Sequence, residues 1–235
     1  MKPHYDTDVY TDDVLNDAWH VYSDGRKSDQ LWHYFYAILT APSSSNPYHN
    51  VRHPLHTAWL VYQVCKKLRE VGAISRREAR NIMIAAIMHD YMHSGRSTDL
   101  VSDQINIANA VSGLQKIILS KDKKHSATIA RYMWATEFPH QAENERTGEM
   151  TILHLILRDC DKAQVFSDSW IQQVLVGLST EWDISPITML EQQLKYLENL
   201  SFETRLVQDM FSEEVVRAKI IETKSFIAGL RSVTE

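Results

Sequence analysis

The sequence is poor in residues that interrupt regular structure, with 7 Gly and 6 Pro among 235 residues. This scarcity argues against a fold of many short strands and tight turns, and it favours helices. The two cysteines, Cys65 and Cys160, form no CxxC pair, which suits a reducing compartment. Hydrophobic residues make up 44% and charged residues 23%, as in ordinary globular proteins.

Long apolar and long basic runs are also missing. No stretch reaches the roughly 20 apolar residues that a membrane-spanning helix requires. The net charge is -5 and no basic cluster occurs, so the chain offers little attraction to nucleic acid. The first residues, MKPHYDTDVYTDD, lack the basic start and apolar centre of a signal peptide. We therefore expect a cytoplasmic protein with neither membrane nor nucleic-acid partners, while the oligomeric state stays open.

Apolar periodicity predicts helices along the whole chain. Two amphipathic helices are expected within residues 9–40, before the loop-forming cluster APSSSNP. The next helix runs from Pro54 to about Val71, with Gly72 just after its end. Further helical segments are predicted near 101–119, 125–135, 148–166, 169–179, 186–198 and 212–231. Because no internal repeat or long linker separates them, we expect a single compact all-α domain over residues 1–235.

A cluster of titratable residues follows an apolar segment. Ser75 and Glu78 form a predicted capping box for a helix that extends to His93. Its run NIMIAAIM leads directly into His89, Asp90 and His93, and on a helix His89 and His93 lie one turn apart. Buried charges cost several kcal/mol unless they are paired or bind a metal. The three side chains are therefore predicted to face a pocket.

Two further clusters can complete a divalent-metal site. The stretch YHNVRHPLH contributes His49, His53 and His56, and two sequential helices can bring it close to the His-Asp pair. In LILRDCDKAQVF, Asp159 and Asp161 lie two residues apart, roughly 200° around a helix, so only one of them can face the same ion. Imidazole and carboxylate ligands together are typical of a zinc, iron or manganese site.

In their order along the chain, these motifs resemble those of the HD-domain metal-dependent phosphohydrolases. Among these enzymes they resemble the class I cyclic nucleotide phosphodiesterases. YHNVRH (48–53) is similar to the family's YHNxxH, and HDYMHSG (89–95) is similar to its HDxxHxG. Three later segments resemble its LATDxxxH, CADxxx and DISPM motifs: MWATEFPH (133–140), DCDKAQ (159–164) and DISPITM (183–189). The resemblance covers a core from residue 48 to about 196, with helical extensions at both ends, and implies an HD-type helical bundle.

The resemblance implies a role for each matching residue. Four residues would hold the first metal ion: His53, His89, Asp90 and Asp161. Asp90 would also reach a second ion, and His93 would lie behind these ligands or contact water on that ion. His49 would be the general acid, and Asp159 would not be a ligand.

The implied cofactors are two divalent ions, with Zn, Fe or Mn at the first site and Mg or Mn at the second. The implied reaction opens a 3',5'-cyclic nucleotide, cAMP or cGMP, to the 5'-monophosphate. A hydroxide that bridges the ions would attack phosphorus, and His49 would protonate the departing ribose oxygen.

Residues of the substrate pocket are less clearly marked. Gln193 and Tyr196 have the spacing of the glutamine and aromatic residue with which the family grips the purine, and Tyr48 is the third implied substrate contact. The interval from the SP pair to Gln193 is shorter than is usual in the family, so Gln192, on a different face of the helix, stays an alternative. Pro54 and His56 replace the usual Ala and Asp after the ligand histidine. The family's glutamate on the helix after HDxxHxG has no clear counterpart.

Three alternatives remain open. One is an HD phosphohydrolase that acts on another nucleotide, and another is a catalytically silent HD domain that only binds a metal or a ligand. A third is an HD-type di-iron oxygenase that recruits further histidines, of which His125, His140 and His154 are candidates. A complete ligand set together with a candidate acid favours an enzyme over a silent domain.

Overall fold

A computed structural model describes residues 31–95, 100–138 and 146–234. These ranges contain helices and no β-strand, so the predicted all-α fold is confirmed. The α-helices, numbered in chain order, are α1 Leu31–Thr40, α2 Arg52–Glu70, α3 Arg76–Met88, α4 Leu100–Ile117, α5 Ser126–Trp134, α6 Ile152–Asp161, α7 Ser179–Trp182, α8 Pro186–Glu198, α9 Arg205–Met210 and α10 Glu213–Thr234. Shorter elements are 3-10 turns at Pro42–Ser45, Lys123–His125 and Lys162–Phe166, and a π-helix at Ile171–Leu178. Among the helices of the described ranges, none has the length and apolar character needed to cross a membrane.

Helix α3 is the centre of the larger hydrophobic core. Every residue from Ile82 to Met88 is 0% exposed, so the second half of this helix is apolar on all faces. Helices α1, α2, α4, α5 and α6 pack around it. The C-terminal end of α3 therefore delivers the residues that follow it, His89 and Asp90, into the interior of the protein.

A second, smaller core forms between the π-helix, α8 and α10. Trp170, Met189 and Ile227 are buried in it. The indole of Trp170 donates a hydrogen bond to Glu222 and lies under the ammonium of Lys219, 4.7 Å from the ring centre. These contacts attach α10 to the segment that contains the π-helix.

Two helix starts agree with their predicted signals. The Ser75 hydroxyl accepts the Glu78 N–H at 3.2 Å, and the Glu78 carboxylate accepts the Ser75 N–H at 2.7 Å, which confirms the capping box. Helix α2 begins at Arg52, so Pro54 lies in its first turn, and Gly72 follows its end with φ +69°. A proline in the first turn removes only an N–H that has no partner within the helix.

The helix that leads to the His-Asp pair ends earlier than predicted. Helix α3 stops at Met88, and His89 is its C-cap. Met92 has φ 66° and Gly95 has φ 77°, and this left-handed conformation does not occur inside an α-helix. His93 therefore lies beyond the helix, and the prediction of a continuous helix to His93 is wrong.

The second half of the chain contains two further differences. The helix predicted at 148–166 divides into α6 and a 3-10 turn, since the last turn of a helix often tightens in this way. The segment predicted at 169–179 is a π-helix that continues as α7. Helix α9 has no counterpart among the predicted segments. Helix α1 is the second of the two expected within residues 9–40, and the first lies outside the described residues.

Candidate metal centre

Three helix ends bring the candidate ligands together. His53 lies in the first turn of α2, His89 caps the C-terminal end of α3, and Asp161 is the last residue of α6. Helix α2 packs against both α3 and α6, so the three ends are held against one another. His53 and His89 are buried, and Asp161 is half-buried beside them.

Four side-chain atoms converge on one point. The Nε2 atom of His53 lies 3.2 Å from Nε2 of His89. It also lies 2.9 Å from Oδ1 of Asp161 and 3.2 Å from Oδ2 of Asp90. The Nε2 atom of His89 lies 3.2 Å and 3.3 Å from the same two oxygens. Ligands about 2.1 Å from a common ion lie about 3.0 to 3.4 Å apart, so these separations match the edges of a coordination shell.

Each imidazole is oriented by its other nitrogen. Nδ1 of His89 donates to the carbonyl oxygen of Ala86 at 2.8 Å, and Nδ1 of His53 donates to the side-chain oxygen of Gln164 at 3.4 Å. The Gln164 amide is itself fixed because its nitrogen donates to the hydroxyl of Ser167. Nε2 of both rings is thereby left with a lone pair toward the cluster, which is the usual arrangement behind metal-binding histidines.

The carboxylates have no other role that would explain their burial. Oδ2 of Asp90 and Oδ1 of Asp161 are buried, and neither accepts a conventional hydrogen bond. With Nδ1 protonated on both imidazoles, lone pairs face lone pairs, which is repulsive unless a cation lies between them. The buried cluster of His53, His89 and Asp161 could therefore hold a metal ion.

Charges within the cluster oppose the effect of burial. Burial lowers the pKa of His89, but the carboxylates of Asp90 and Asp161 outweigh it and raise that pKa well above its usual value. Burial raises the pKa of Asp90, but His89 outweighs it and holds that pKa well below the usual range. Without metal, a bound proton can thus offset the negative charge of the two carboxylates. A metal ion that binds there would release protons from the cluster.

A second group of side chains lies beside the cluster, where Glu181 holds His49. One carboxylate oxygen of Glu181 lies 2.6 Å from Nδ1 of His49. The other accepts the backbone N–H groups of Tyr48 and His49 at 2.7 and 2.8 Å. Burial lowers the pKa of His49, but the hydrogen bond to Glu181 and the charge of Asp90 outweigh it and raise that pKa. A protonated imidazole in this position can act as a proton donor.

His93 lies against the ring of His49. The two ring centres are 3.7 Å apart and the planes differ by 16°. The N–H of Gly95 donates to Nδ1 of His93, and the Asn106 amide lies 3.0 Å from Nε2. Burial and the neighbouring His49 lower the pKa of His93 to about 3.

An open pocket of about 210 Å³ joins the cluster to the second core. One group of lining residues is the polar cluster with His49 and His93, and the other belongs to the second core, with Val174, Leu178 and Trp182. The three predicted substrate contacts also line this pocket: Tyr48, Gln193 and Tyr196. The hydroxyl of Tyr196 donates to the carbonyl of Lys162, whereas the side-chain oxygen of Gln193 is buried without a hydrogen-bond partner.

Asp159 faces away from the cluster. Its carboxylate accepts the backbone N–H groups of Glu203 and Thr204 at 2.7 to 2.9 Å, and the Thr204 hydroxyl at 2.8 Å. The ammonium of Lys162 lies 3.0 Å away on the same side. Of the two neighbouring aspartates, the structure brings only Asp161 to the histidines.

The other histidines differ in their positions. Nδ1 of His154 pairs with Thr151 at the start of α6, seven residues before Asp161 and roughly 10 Å along the helix axis. His125 ends a 3-10 turn on the half-exposed surface. His140 lies outside the described residues.

His56 is buried one turn after His53 on α2. Burial and the charge of His53 lower the pKa of His56 to about 3, and the backbone of Ala163 opposes this shift. His56 thus lies where α2 meets the 3-10 turn that follows Asp161.

Sequence analysis missed two residues that hold the site histidines. Gln164 lies within DCDKAQ, three residues after Asp161, so the motif itself offered a signal. Glu181 is 132 residues away from His49, and no local pattern connects the two. Only the packing of α7 against the loop before α2 reveals this pair.

Comparison with known proteins assigns the chain to no family. A scan against models of protein families finds no match to the chain, and a search of curated proteins finds none either. The resemblance to the HD phosphohydrolases therefore stays an expectation drawn from the motifs.

Proposed function

We propose that this chain is a metal-dependent phosphohydrolase of the HD type, which opens a 3',5'-cyclic nucleotide to the 5'-monophosphate. Support comes from motifs that lie far apart in sequence but meet at one pocket. YHNVRH contributes His49 and His53, HDYMHSG contributes His89 and Asp90, and DCDKAQ contributes Asp161. Hydrophobic packing alone would not bring these titratable groups together, because burial of charged groups without partners costs free energy.

The observation that carries the proposal is the His49–Glu181 pair beside the ligand cluster. Opening a cyclic phosphodiester breaks the bond between phosphorus and the ribose oxygen, and that alkoxide is a poor leaving group without a proton. His49 lines the same pocket as Asp90 and Asp161 and is fixed by three hydrogen bonds from its loop and ring to Glu181. A site that only stored a metal would have no use for such an imidazole.

The proposed roles are those that the resemblance implies, and the positions of the side chains are compatible with them. The residues that would hold the first ion are His53, His89, Asp90 and Asp161, and Asp90 would also reach a second. Divalent ions there would neutralise charge on the phosphoryl oxygens and acidify the attacking water. Glu181 accepts the Nδ1–H of His49 and raises the pKa of the ring, and the protonated ring would carry its second proton on Nε2, for the leaving oxygen.

The charge of the pocket favours a substrate with one negative charge. Among the lining residues in the described ranges, Lys162 is the only Lys or Arg, and its ammonium contacts Asp159 and the carbonyl of Ser201. Beyond the proposed ions and a protonated His49, that lining offers no other Lys or Arg for a diphosphate or triphosphate group. A cyclic phosphodiester, which carries a single charge, fits this balance better than a polyphosphorylated nucleotide.

The proposed base-binding end lies in the second core. Gln193 offers a buried side-chain oxygen without a partner, and a purine N–H group would satisfy it. Tyr196 lies one turn further along α8, and Tyr48 lies between it and the ligand cluster, with its ring 5.0 Å from that of His53. Which base is preferred depends on the amide orientation of Gln193.

Turnover of cyclic AMP and cyclic GMP by the metal-loaded chain tests the proposal. Chromatography should reveal a 5'-monophosphate with the wild type, and Asp90→Ala should abolish both metal loading and turnover. Asp209→Ala is the control, because Asp209 is exposed and pairs with Arg205 at the surface. The control should bind metal as the wild type does.

Two results would contradict the proposal. If the chain binds divalent ions but consumes neither cyclic nucleotide, the substrate is another phosphoester or the domain is silent. If Asp90→Ala retains full metal content, the assigned cluster is not the metal site.

A further inference from the structure

The π-helix and α7 form one continuous element, residues 171–182, which we call the acid-holding segment. A π-helix of eight residues is rare, because most occur as single-turn bulges, and these are frequent at functional sites. Val174, Leu178 and Trp182 of this segment line the pocket. Gly177 and Glu181 contact the loop before α2.

Gly177 has no room for a side chain. A Cβ atom at this position would lie 2.6 Å from the carbonyl oxygen of Pro47 and 3.0 Å from its carbonyl carbon. Both atoms belong to the backbone, so no change of rotamer relieves the contact. The glycine thus permits a close approach of two backbones that any other residue would prevent.

This approach leads directly to the hydrogen bonds around His49. The carbonyl carbon of Pro47 is bonded to the nitrogen of Tyr48, and the N–H of Tyr48 donates to Glu181 at 2.7 Å. Glu181 follows Gly177 by four residues, about one turn along the same segment. The separation between Gly177 and Pro47 therefore sets the separation at which Glu181 reaches His49.

The loop is fixed from its other side as well. The Asn50 amide donates to the carbonyl oxygens of Asn46 and Pro47, both at 3.0 Å. The Asn46 amide donates to the carbonyl oxygen of His93 at 3.0 Å. A methyl group at position 177 would therefore move the loop as a unit and would not be absorbed by a single peptide group.

We propose that Gly177 is a positioning residue for His49, which acts by allowing the acid-holding segment to lie directly against Pro47. This inference rests on the proposed function for its catalytic meaning, because it takes His49 as the general acid. The geometric part, that Gly177 sets the His49–Glu181 hydrogen bond, holds or fails independently of any substrate.

The test compares Gly177→Ala with Gly229→Ala in the full chain. Gly229 is a matched control because it also lies in a helix, α10, but a Cβ there meets nothing within 4 Å. Proton NMR should detect the Nδ1–H of His49 as a downfield signal, assigned by its loss in His49→Gln. We expect Gly177→Ala to lose or shift this signal and Gly229→Ala to keep it, with metal content equal in both.

Kinetics supply a second measurement. Gly177→Ala should lower kcat on the cyclic nucleotide about 10- to 100-fold with little change in KM, since only proton donation is impaired. On a p-nitrophenyl phosphodiester, whose leaving group needs no acid, the loss should be under about threefold. An equal loss on both substrates would overturn the inference, as would an unshifted His49 signal in Gly177→Ala.

Two further outcomes stay distinguishable. If the wild type hydrolyses neither substrate, the proposed function fails, and the NMR comparison alone still decides the role of Gly177. If Gly177→Ala does not fold, Asn50→Ala is added to release the Pro47 carbonyl so that the loop can retreat. The folded double variant must then lack the signal that Asn50→Ala alone retains, or the inference is wrong.

Discussion

At the scale of single residues, the chemistry of each histidine depends on which ring nitrogen its neighbours engage. Ala86 and Gln164 accept from Nδ1 of His89 and His53, so both rings direct Nε2 to the cluster. Glu181 engages Nδ1 of His49 in the same way. An imidazole is thus a candidate ligand where its Nε2 faces the cluster and a candidate acid where its Nε2 faces the open pocket.

Replacement of His49 by Ala is predicted to separate the acid from the metal site. Because His49 donates no electron pair to the four-atom cluster, His49→Ala should keep the metal content of the wild type. Its kcat on a cyclic nucleotide should fall by roughly 10² to 10⁴, which is the usual contribution of general-acid catalysis. Elemental analysis and steady-state kinetics on the same preparation check both statements.

Gln192→Ala serves as the control for that experiment, because Gln192 is exposed on α8 next to the predicted substrate contact Gln193. It should leave kcat and metal content unchanged. Loss of metal from the His49 variant would instead make His49 a ligand and refute its role as acid.

At the scale of elements, the site is built from helix ends. His53 lies in the first turn of α2, α3 ends before His89, and α6 ends at Asp161. The N–H groups of the first turn and the carbonyl groups of the last turn have no hydrogen-bond partner within the helix. Side chains and ions can therefore bind there. The stability of each helix therefore affects how firmly its terminal ligand is held.

Ser75→Ala is predicted to weaken α3 at the end opposite to the site. The substitution removes the oxygen that accepts the Glu78 N–H, and loss of such a cap costs about 1 kcal/mol. Urea denaturation of wild type and variant measures the free energy of unfolding. Ser120→Ala, at an exposed turn position, should change it by less than about 0.5 kcal/mol. An equal effect of both substitutions would mean that the capping box adds nothing.

At the scale of the whole molecule, a buried ion pair joins elements on the far side of α3 from the candidate site. Asp122 is fully buried and accepts hydrogen bonds from Arg80 of α3 at 2.8 and 2.9 Å and from Tyr34 of α1 at 2.8 Å. Arg80 lies nine residues before His89, roughly 13 Å along the helix. Burial raises the pKa of Asp122, but the hydrogen bonds and charge of Arg80 outweigh it and lower that pKa.

The contribution of Asp122 to stability is predicted to depend on pH. Because its pKa is lower in the folded state than in the unfolded chain, the unfolded state binds the proton first on acidification. The stabilisation is fully present above about pH 4 and is lost as the pH falls through the folded-state pKa. At pH 7, Asp122→Asn should cost about 3 to 5 kcal/mol, because it removes the buried carboxylate charge that pairs with Arg80 and Arg77.

Urea denaturation of metal-free protein between pH 3 and pH 7 measures this difference. The gap between wild type and Asp122→Asn should narrow toward pH 3. Asp209→Asn is the control, because Asp209 pairs with Arg205 on the surface and such pairs contribute little. A gap that stays constant with pH would show that the charge of Asp122 does not stabilise the fold.

Most helices and the candidate metal ligands could be predicted from the sequence. Periodicity predicted most of the helical segments, and the Ser75–Glu78 box and Pro54 marked helix starts, because these signals act between neighbours in the chain. The 200° separation of Asp159 and Asp161 already excluded a shared ion. That residues 1–235 form one domain stays a prediction.

Contacts between distant segments were decided by the tertiary structure alone. The break of α3 before His93 depends on the left-handed turn at Met92, and the partner of His49 depends on Glu181, 132 residues away. Periodicity predicted a helix at 169–179, and only the structure identifies Ile171–Leu178 as a π-helix. Local propensities determine which helices form, but only packing in three dimensions decides which of their ends meet and which nitrogen of each imidazole is left free.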